Sequence, residues 1–210
     1  MTKVKICGIT SAREIEYINE YKPDFAGFVM FFPKSKRNID SETARKLLNA
    51  LTASVKSVAV MVNPSIEQIN TAKECGFDYV QIHGDADNSL LKNSPLPVIR
   101  AFNVSDINKF DEYSSIDNIV GFLFDSALPG SGNTFDWTLL DRLHRDKNKL
   151  FILAGGLTPD NVADAIAQVK PDAVDVSSGV ENDNGTGKSK NKIRNFVKLA
   201  KSVKTVKGIV

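Results

Sequence analysis

Short runs of apolar and β-branched residues alternate along the chain with segments whose apolar positions recur three and four residues apart. The short runs predict strands at Val4-Lys5-Ile6, Phe25 to Phe31, Val55 to Val62, Tyr79 to Ile82, Val98 to Phe102, Val120 to Phe124, Phe151 to Ala154 and Ala173 to Val176. Several are apolar nearly throughout, as in Val58-Ala59-Val60-Met61-Val62, the pattern of a parallel strand covered on both faces. The intervening segments carry helix signals. Ser11 with Glu14 and Ser65 with Gln68 make capping boxes, and Thr158-Pro159 places a cap residue before a first-turn proline. Ala44, Leu47, Leu48 and Leu51 form one apolar stripe, and Val162, Ala165, Ile166 and Val169 another. Gly76 stands where a left-handed helix end is expected, and the fourth helix is the weakest, squeezed between Ser89 and Pro95.

Strand and helix alternate often enough for eight units in 210 residues. At roughly 26 residues each, that is near the lower limit for a closed barrel. The expected class is α/β, a single-domain (β/α)8 TIM barrel over residues 1–210, with no linker or low-complexity segment dividing it. An open doubly wound sheet is the alternative, but Cys7-Gly8-Ile9-Thr10 lacks the glycine-rich fingerprint that often follows its first strand.

Composition narrows this picture only a little. The chain is 42% hydrophobic and 25% charged, as expected of a globular protein with a core. No apolar run reaches the roughly 18 residues of a membrane span, and the N-terminus has no signal-peptide pattern, so a cytoplasmic protein is expected. Cys7 and Cys75 are too far apart in sequence for a CxxC pair or a zinc knuckle. The net charge is +2 but unevenly spread: the first 187 residues hold 19 basic and 25 acidic side chains, and the rest holds eight basic ones and no acid. Such a tail could serve a polyanion. However, Ile193, Phe196, Val197 and Ala200 recur in it at helical spacing and favour an amphipathic helix with a solvated basic face. No nucleic-acid partner and no membrane are therefore expected.

In a barrel of this kind the chemistry sits at the carboxyl ends of the strands, so the residues just after each run matter most. They include Cys7, Arg37, Asn63, His83, Asp125, Gly155-Gly156 and Ser177-Ser178-Gly179. The glycine-bearing turns after strands seven and eight suit a phosphate, because backbone N–H groups there approach an anion closely; their plainer role is to make tight turns. Cys7 is either a small buried hydrophobe or a base, if nearby positive charge lowers its thiol pKa. Asp125 is either a cap or an acid projecting across the mouth from Cys7. Arg37 suits bidentate capture of a carboxylate, or is an idle surface side chain. His83 either contacts substrate or hydrogen-bonds the rim, and Cys75 is assigned to packing. No HExxH motif or His/Asp cluster points to a metal.

An ordered series of motifs then resembles one family, the phosphoribosylanthranilate isomerases, over nearly the whole chain. It runs through Lys5-Ile6-Cys7-Gly8-Ile9-Thr10, Gly27-Phe28-Val29, Ser35-Lys36-Arg37, Gln81-Ile82-His83-Gly84 and Phe124-Asp125-Ser126. It continues through Gly130-Ser131-Gly132 with Phe135-Asp136-Trp137, Leu153-Ala154-Gly155-Gly156-Leu157 and Asp175-Val176-Ser177-Ser178-Gly179-Val180-Glu181. The resemblance implies an Amadori rearrangement of N-(5-phosphoribosyl)anthranilate by general acid–base catalysis in tryptophan biosynthesis, with no metal and no other cofactor. It implies Asp125 as general acid and Cys7 as general base, Arg37 on the anthranilate carboxylate, and Gly155, Gly156, Ser178 and Gly179 on the phosphate; His83 is a further candidate for substrate binding. The Gly130-Ser131-Gly132 loop is expected to close over the ligand. A small phosphorylated molecule is the expected partner, and no dimer-specific feature is visible, so a monomer is expected.

Ser189 departs from the family pattern, which places an acid at the start of the last helix. The expected consequence is a slightly weaker helix start, with no catalytic group touched. Three rival readings remain. A bifunctional barrel that also serves histidine synthesis resembles a two-aspartate pattern, but Cys7 stands where the first aspartate would be. An indole-forming synthase needs a catalytic lysine at a strand end, and Lys5 lies two residues too early. A phosphate-binding barrel without catalysis would have no reason to hold both Cys7 and Asp125.

Overall fold

The eight expected strands pair edge to edge in chain order. The computed structural model describes residues 1–126 and 134–203. The strands are β1 (Lys3–Cys7), β2 (Phe25–Met30), β3 (Lys56–Val62), β4 (Tyr79–His83), β5 (Val98–Asn103), β6 (Ile119–Asp125), β7 (Leu150–Leu153) and β8 (Ala173–Val176). All neighbours are parallel. β1 pairs with β2 through Cys7 and Gly27, and with β8 through Lys5 and Asp175, so the sheet closes on itself. A two-residue strand, Asn38–Ile39, adds to the end of β2. β2 stops one residue before the expected Phe31, whose left-handed backbone (φ 58°) turns the chain out of the sheet.

Outside the barrel lie α1 (Ala12–Tyr21), α2 (Ser41–Ala50), α3 (Ile66–Cys75), α4 (Asn88–Asn93), α5 (Phe110–Ser114), α6 (Val162–Val169) and α7 (Lys190–Ser202). Both capping boxes form, and Gly76 ends α3 in the left-handed conformation (φ 98°). The expected cap at Thr158 is displaced, because α6 begins only at Val162. The Thr158 hydroxyl instead accepts the Asp160 N–H at 3.2 Å, opening a turn that Asn161 ties down by donating to the Gly156 carbonyl at 2.9 Å. The outer layer is thin after β5 and β6. A 3-10 helix (Val104–Lys109) leads into the five-residue α5, and a 3-10 turn (Trp137–Arg142) is the helical element described between β6 and β7. That turn buries only Leu140, too little apolar surface to hold a longer helix against the sheet.

Two apolar shells follow from the period-two alternation of the strands. Val4, Ile6, Phe28, Val80, Ile82, Phe122 and Phe124 face the helices in one continuous cluster. The alternate positions, among them Phe25, Val58, Val60, Ile99, Leu123 and Ile152, fill the barrel itself. The basic C-terminal segment is the amphipathic helix its periodicity predicts: Ile193, Phe196, Val197 and Ala200 are buried in α7. No described helix is long and apolar enough to cross a membrane.

Candidate active site

Strand parity assembles the site. Cys7, His83 and Asp125 end β1, β4 and β6 at positions in step with the barrel-filling residues, so all three belong to its interior face. Two residues deeper on the same faces stand Lys5 and Gln81, and Asp175 lies on β8 in register with Lys5. The barrel lining is therefore apolar except for a polar plug beneath the mouth.

Lys5 has no exposed surface, and its ammonium bonds the Asp175 carboxylate at 3.0 Å. Burial by itself depresses a lysine, but Asp175, and after it Cys7, reverse the sign and its pKa is raised. Cys7 is buried at the rim, and burial pushes its thiol up. The positive charges of Lys5 and Lys188 pull it the other way, and Asp175 adds to the upward push. Lys188 is itself buried. Its ammonium donates to the Ser177 carbonyl at 3.0 Å and hydroxyl at 3.2 Å, and the Ser177 hydroxyl donates to the Cys7 carbonyl at 3.1 Å.

Asp125 stands on another side of the mouth. Its partly buried carboxyl is raised to about 6, first by burial and further by the Asp175 charge, against the Ser126 N–H that donates to Oδ1 at 2.8 Å. About a tenth of it is protonated at neutral pH. Beside it, Gly155 and Gly156 turn with φ of 83° and 63°. A small cavity is bounded by Asp125, Gly155, Gly156, Asp175, Ser177 and Ser178. Gly179 is pressed against the Leu157 carbonyl, so the turns after β7 and β8 are packed directly together. Among the described residues, no protein acceptor takes the backbone N–H groups of Gly155, Gly156, Ser178 or Gly179. Such a nest of N–H groups is suited to an anion.

Arg37 reaches the mouth from the loop after β2, its side chain lying against Gly8. Here it holds Glu181, with Nε 2.6 Å from Oε1, while Lys36 takes the other carboxylate oxygen at 2.9 Å. His83 is depressed to about 4 by burial and by the charges of Lys5 and Arg100, so its ring is neutral at physiological pH. Its Nε2 lies 2.7 Å from the Gln81 amide nitrogen. Cys75 is buried at the end of α3, away from the mouth, as packing requires. The Gly130-Ser131-Gly132 loop lies outside the described residues.

Sequence reasoning gave no role to Lys5, Gln81, Asp175, Glu181 or Lys188, and set Lys5 aside as a catalytic lysine. For the first three a signal existed: a polar residue on the same strand face as the mouth residues, inside an otherwise apolar run. For Glu181 and Lys188 no local signal did, because their partners lie in distant segments.

An eight-stranded parallel barrel with helices between its strands is a (β/α)8 barrel. Its mouth brings together a raised carboxyl, a buried thiol and a nest of backbone N–H groups suited to acid–base work on an anionic ligand. The family model for N-(5'-phosphoribosyl)anthranilate (PRA) isomerase matches residues 4–199. The isomerase of Streptococcus gordonii is 41% identical over 204 residues, covering 96% of this chain and 98% of the relative. A phosphoribosylanthranilate isomerase crystallised with reduced 1-(o-carboxyphenylamino)-1-deoxyribulose 5-phosphate superposes with a TM-score of 0.83. It is 37% identical, with coverage of 97% and 100%. Monomers derived from the dimeric Thermotoga maritima isomerase match equally well, with TM-score 0.83, 37% identity and coverage of 97% and 100%. The chain belongs to the N-(5'-phosphoribosyl)anthranilate isomerase family. It converts that substrate to 1-(2-carboxyphenylamino)-1-deoxyribulose 5-phosphate in tryptophan biosynthesis.

Proposed function

We propose that Asp125 is the general acid and Cys7 the general base of this rearrangement. Asp125 donates its proton to the furanose ring oxygen; the C1'–O bond breaks and the anthranilate nitrogen supplies the electron pair of the resulting iminium. Cys7 then takes the proton from C2', and the electrons of that C–H bond neutralise the iminium to give an enolamine. Loss of the hydroxyl proton and protonation of C1' yield the ketone. The observation that carries the assignment is the position of two titratable groups on separate strands of one mouth, the carboxyl raised to about 6 and flanked by the glycine turn. A carboxyl with that pKa keeps a usable protonated fraction at neutral pH. The thiol is the weaker partner at rest, because burial holds it up. The cationic iminium, forming next to it, favours the thiolate at the step that needs it.

The same reading assigns the phosphate to the N–H groups of Gly155, Gly156, Ser178 and Gly179. The anthranilate carboxylate goes to Arg37, whose Nη groups make no hydrogen bond among the described residues while Nε holds Glu181. Neutral His83 offers a hydrogen bond at the rim. We read residues 1–210 as one cytoplasmic, monomeric barrel domain. Among the described residues, the large apolar side chains that stand exposed are Met1, Leu139 and Leu199, which form no common element; light scattering would report the mass directly.

The test is a fluorescence assay of freshly generated phosphoribosylanthranilate with wild type, Cys7→Ser and Asp125→Asn. Each variant is expected to lose at least about a hundredfold in turnover, as removal of a positioned acid or base does. Near-wild-type turnover in either folded variant would remove that residue from its role.

A further inference from the structure

Lys5 is a fully buried ammonium in the polar plug of a barrel lined elsewhere with apolar side chains, and the roles proposed above make no use of it. Burying such a charge is expensive, and the cost is offset here by its pairing with Asp175. Its place in the fold is specific. Lys5 and Cys7 occupy the same face of β1, and both are aimed at Gly27 on the neighbouring strand. A Cβ on Gly27 would stand 3.0 Å from the Lys5 Nζ and 3.0 Å from the Cys7 Sγ. The missing side chain thus leaves a space that both the ammonium and the sulfur border. Asp175, from β8 on the other side, takes the Lys5 ammonium at 3.0 Å and is itself nearly buried.

We infer that Lys5 is a positioning residue that holds a fixed positive charge against the Cys7 sulfur, and that Asp175 sets how much of that charge the sulfur feels. The charged groups facing Cys7 are few. Its own strand presents Lys5, β8 presents Asp175, the segment before α7 presents Lys188, and β2 presents only Gly27. Lys5 is the one whose counter-ion is a single carboxylate on the adjacent strand. Lys188 is divided between Ser177 and the more distant Glu181, at 3.5 Å. The two members of the Lys5–Asp175 pair therefore act on the thiolate with opposite sign. Removing Lys5 disfavours the thiolate, and removing the Asp175 charge favours it. A pair too distant or too screened to couple to the sulfur would give no such opposition, and a structural role alone would leave the pH profile of kcat/KM unmoved.

The inference rests on Cys7 as the base, so its test is read first without turnover. In a Cys75→Ser background, which leaves one thiol, ultraviolet thiolate absorbance is titrated for the parent, Lys5→Met and Asp175→Asn. The expected result is a midpoint raised by about one pH unit or more in Lys5→Met and lowered in Asp175→Asn, each unit being tenfold in thiolate fraction. If Lys5→Met fails to fold, Asp175→Asn, which keeps the lysine, carries the test by the downward shift alone. Unmoved midpoints, or shifts of the same sign in both variants, would overturn the inference. The pH profile of kcat/KM is then compared. An alkaline limb that follows the thiol midpoint supports both readings. A thiol that moves while the limb stays would remove Cys7 as the base and leave the hold of Lys5 on the sulfur standing.

Discussion

A Cβ on Gly155 would stand 3.0 Å from the Asp125 Oδ1 and 2.6 Å from the Ser126 nitrogen, so the glycine turn after β7 forms one wall of the carboxyl's pocket. The turn that offers N–H groups to an anion is thereby the same turn that crowds Asp125. On the proposed roles, phosphate binding and placement of Asp125 would be coupled through a single residue, and changes at either end of the contact should be felt at the other.

Gly155→Ala is expected to be damaging on two counts. Its backbone (φ 83°) is left-handed, which costs a residue with a side chain about 1–3 kcal/mol, and the new methyl displaces Asp125. Thermal melting should register the strain, and kcat/KM should fall by well over tenfold. A variant that melts lower but keeps its full kcat/KM would show that the contact does not position the acid.

Asp125 should make stability depend on pH in a direction opposite to that of an ion-paired carboxylate. Its folded pKa, about 6, lies above the ordinary 3.8. The folded state therefore holds the proton more tightly, and this stabilisation is full below about 3.8 and lost as pH rises through about 6. Asp125→Asn cannot ionise and escapes that loss. Urea unfolding should find the variant more stable than wild type at pH 8 by up to about 3 kcal/mol, with a much smaller gap near pH 4.5. An equal gap at both values would contradict the raised carboxyl.

Arg37→Lys should raise KM at least about tenfold with a smaller change in kcat, because an ammonium cannot offer the planar fork that grips a carboxylate. Steady-state kinetics separates the two. A loss confined to kcat would reassign Arg37 from binding to chemistry.

The Lys5–Asp175 pair should behave as a unit in a stability cycle. Lys5→Met leaves a nearly buried carboxylate without its partner, and removing one member of such a pair costs about 3–5 kcal/mol. Adding Asp175→Asn should recover much of that loss, as measured by urea unfolding of the single and double variants. Additive losses would mean that the two side chains do not depend on each other.

Ser189 keeps a cap where the family pattern has an acid: its hydroxyl accepts the Lys192 N–H at 3.4 Å at the start of α7, without the charge an acid would add. Ser189→Ala should lower stability by about 1 kcal/mol, and Ser189→Asp should match or exceed the wild type. Melting temperatures of the three proteins check the order.

Much of this molecule is written in local pattern. The apolar runs marked all eight strands to within a few residues, since a parallel strand buried on both faces has almost no polar alternative. Capping boxes at Ser11 and Ser65, the glycine after α3 and the stripe in α7 could be read directly, because each depends on residues three or four positions apart. The ordered motifs from Cys7 to Gly179 carried the family, and with it the reaction. Local pattern was weaker where apolar anchors were sparse, as after β6, and at Thr158, whose hydroxyl opened a turn and no helix.

Charge and burial belong to the tertiary structure. Lys5 meets a carboxylate 170 residues away and Arg37 one 144 residues away, contacts that exist only because the barrel closes β1 onto β8. The raised carboxyl of Asp125, the depressed ring of His83 and the contested thiol of Cys7 have the same origin: desolvation and through-space charge are set by what the fold places nearby. The sequence alone named the residue types and their strand ends; closure of the barrel decided which of them share a dielectric environment, and so which titrate away from their ordinary values.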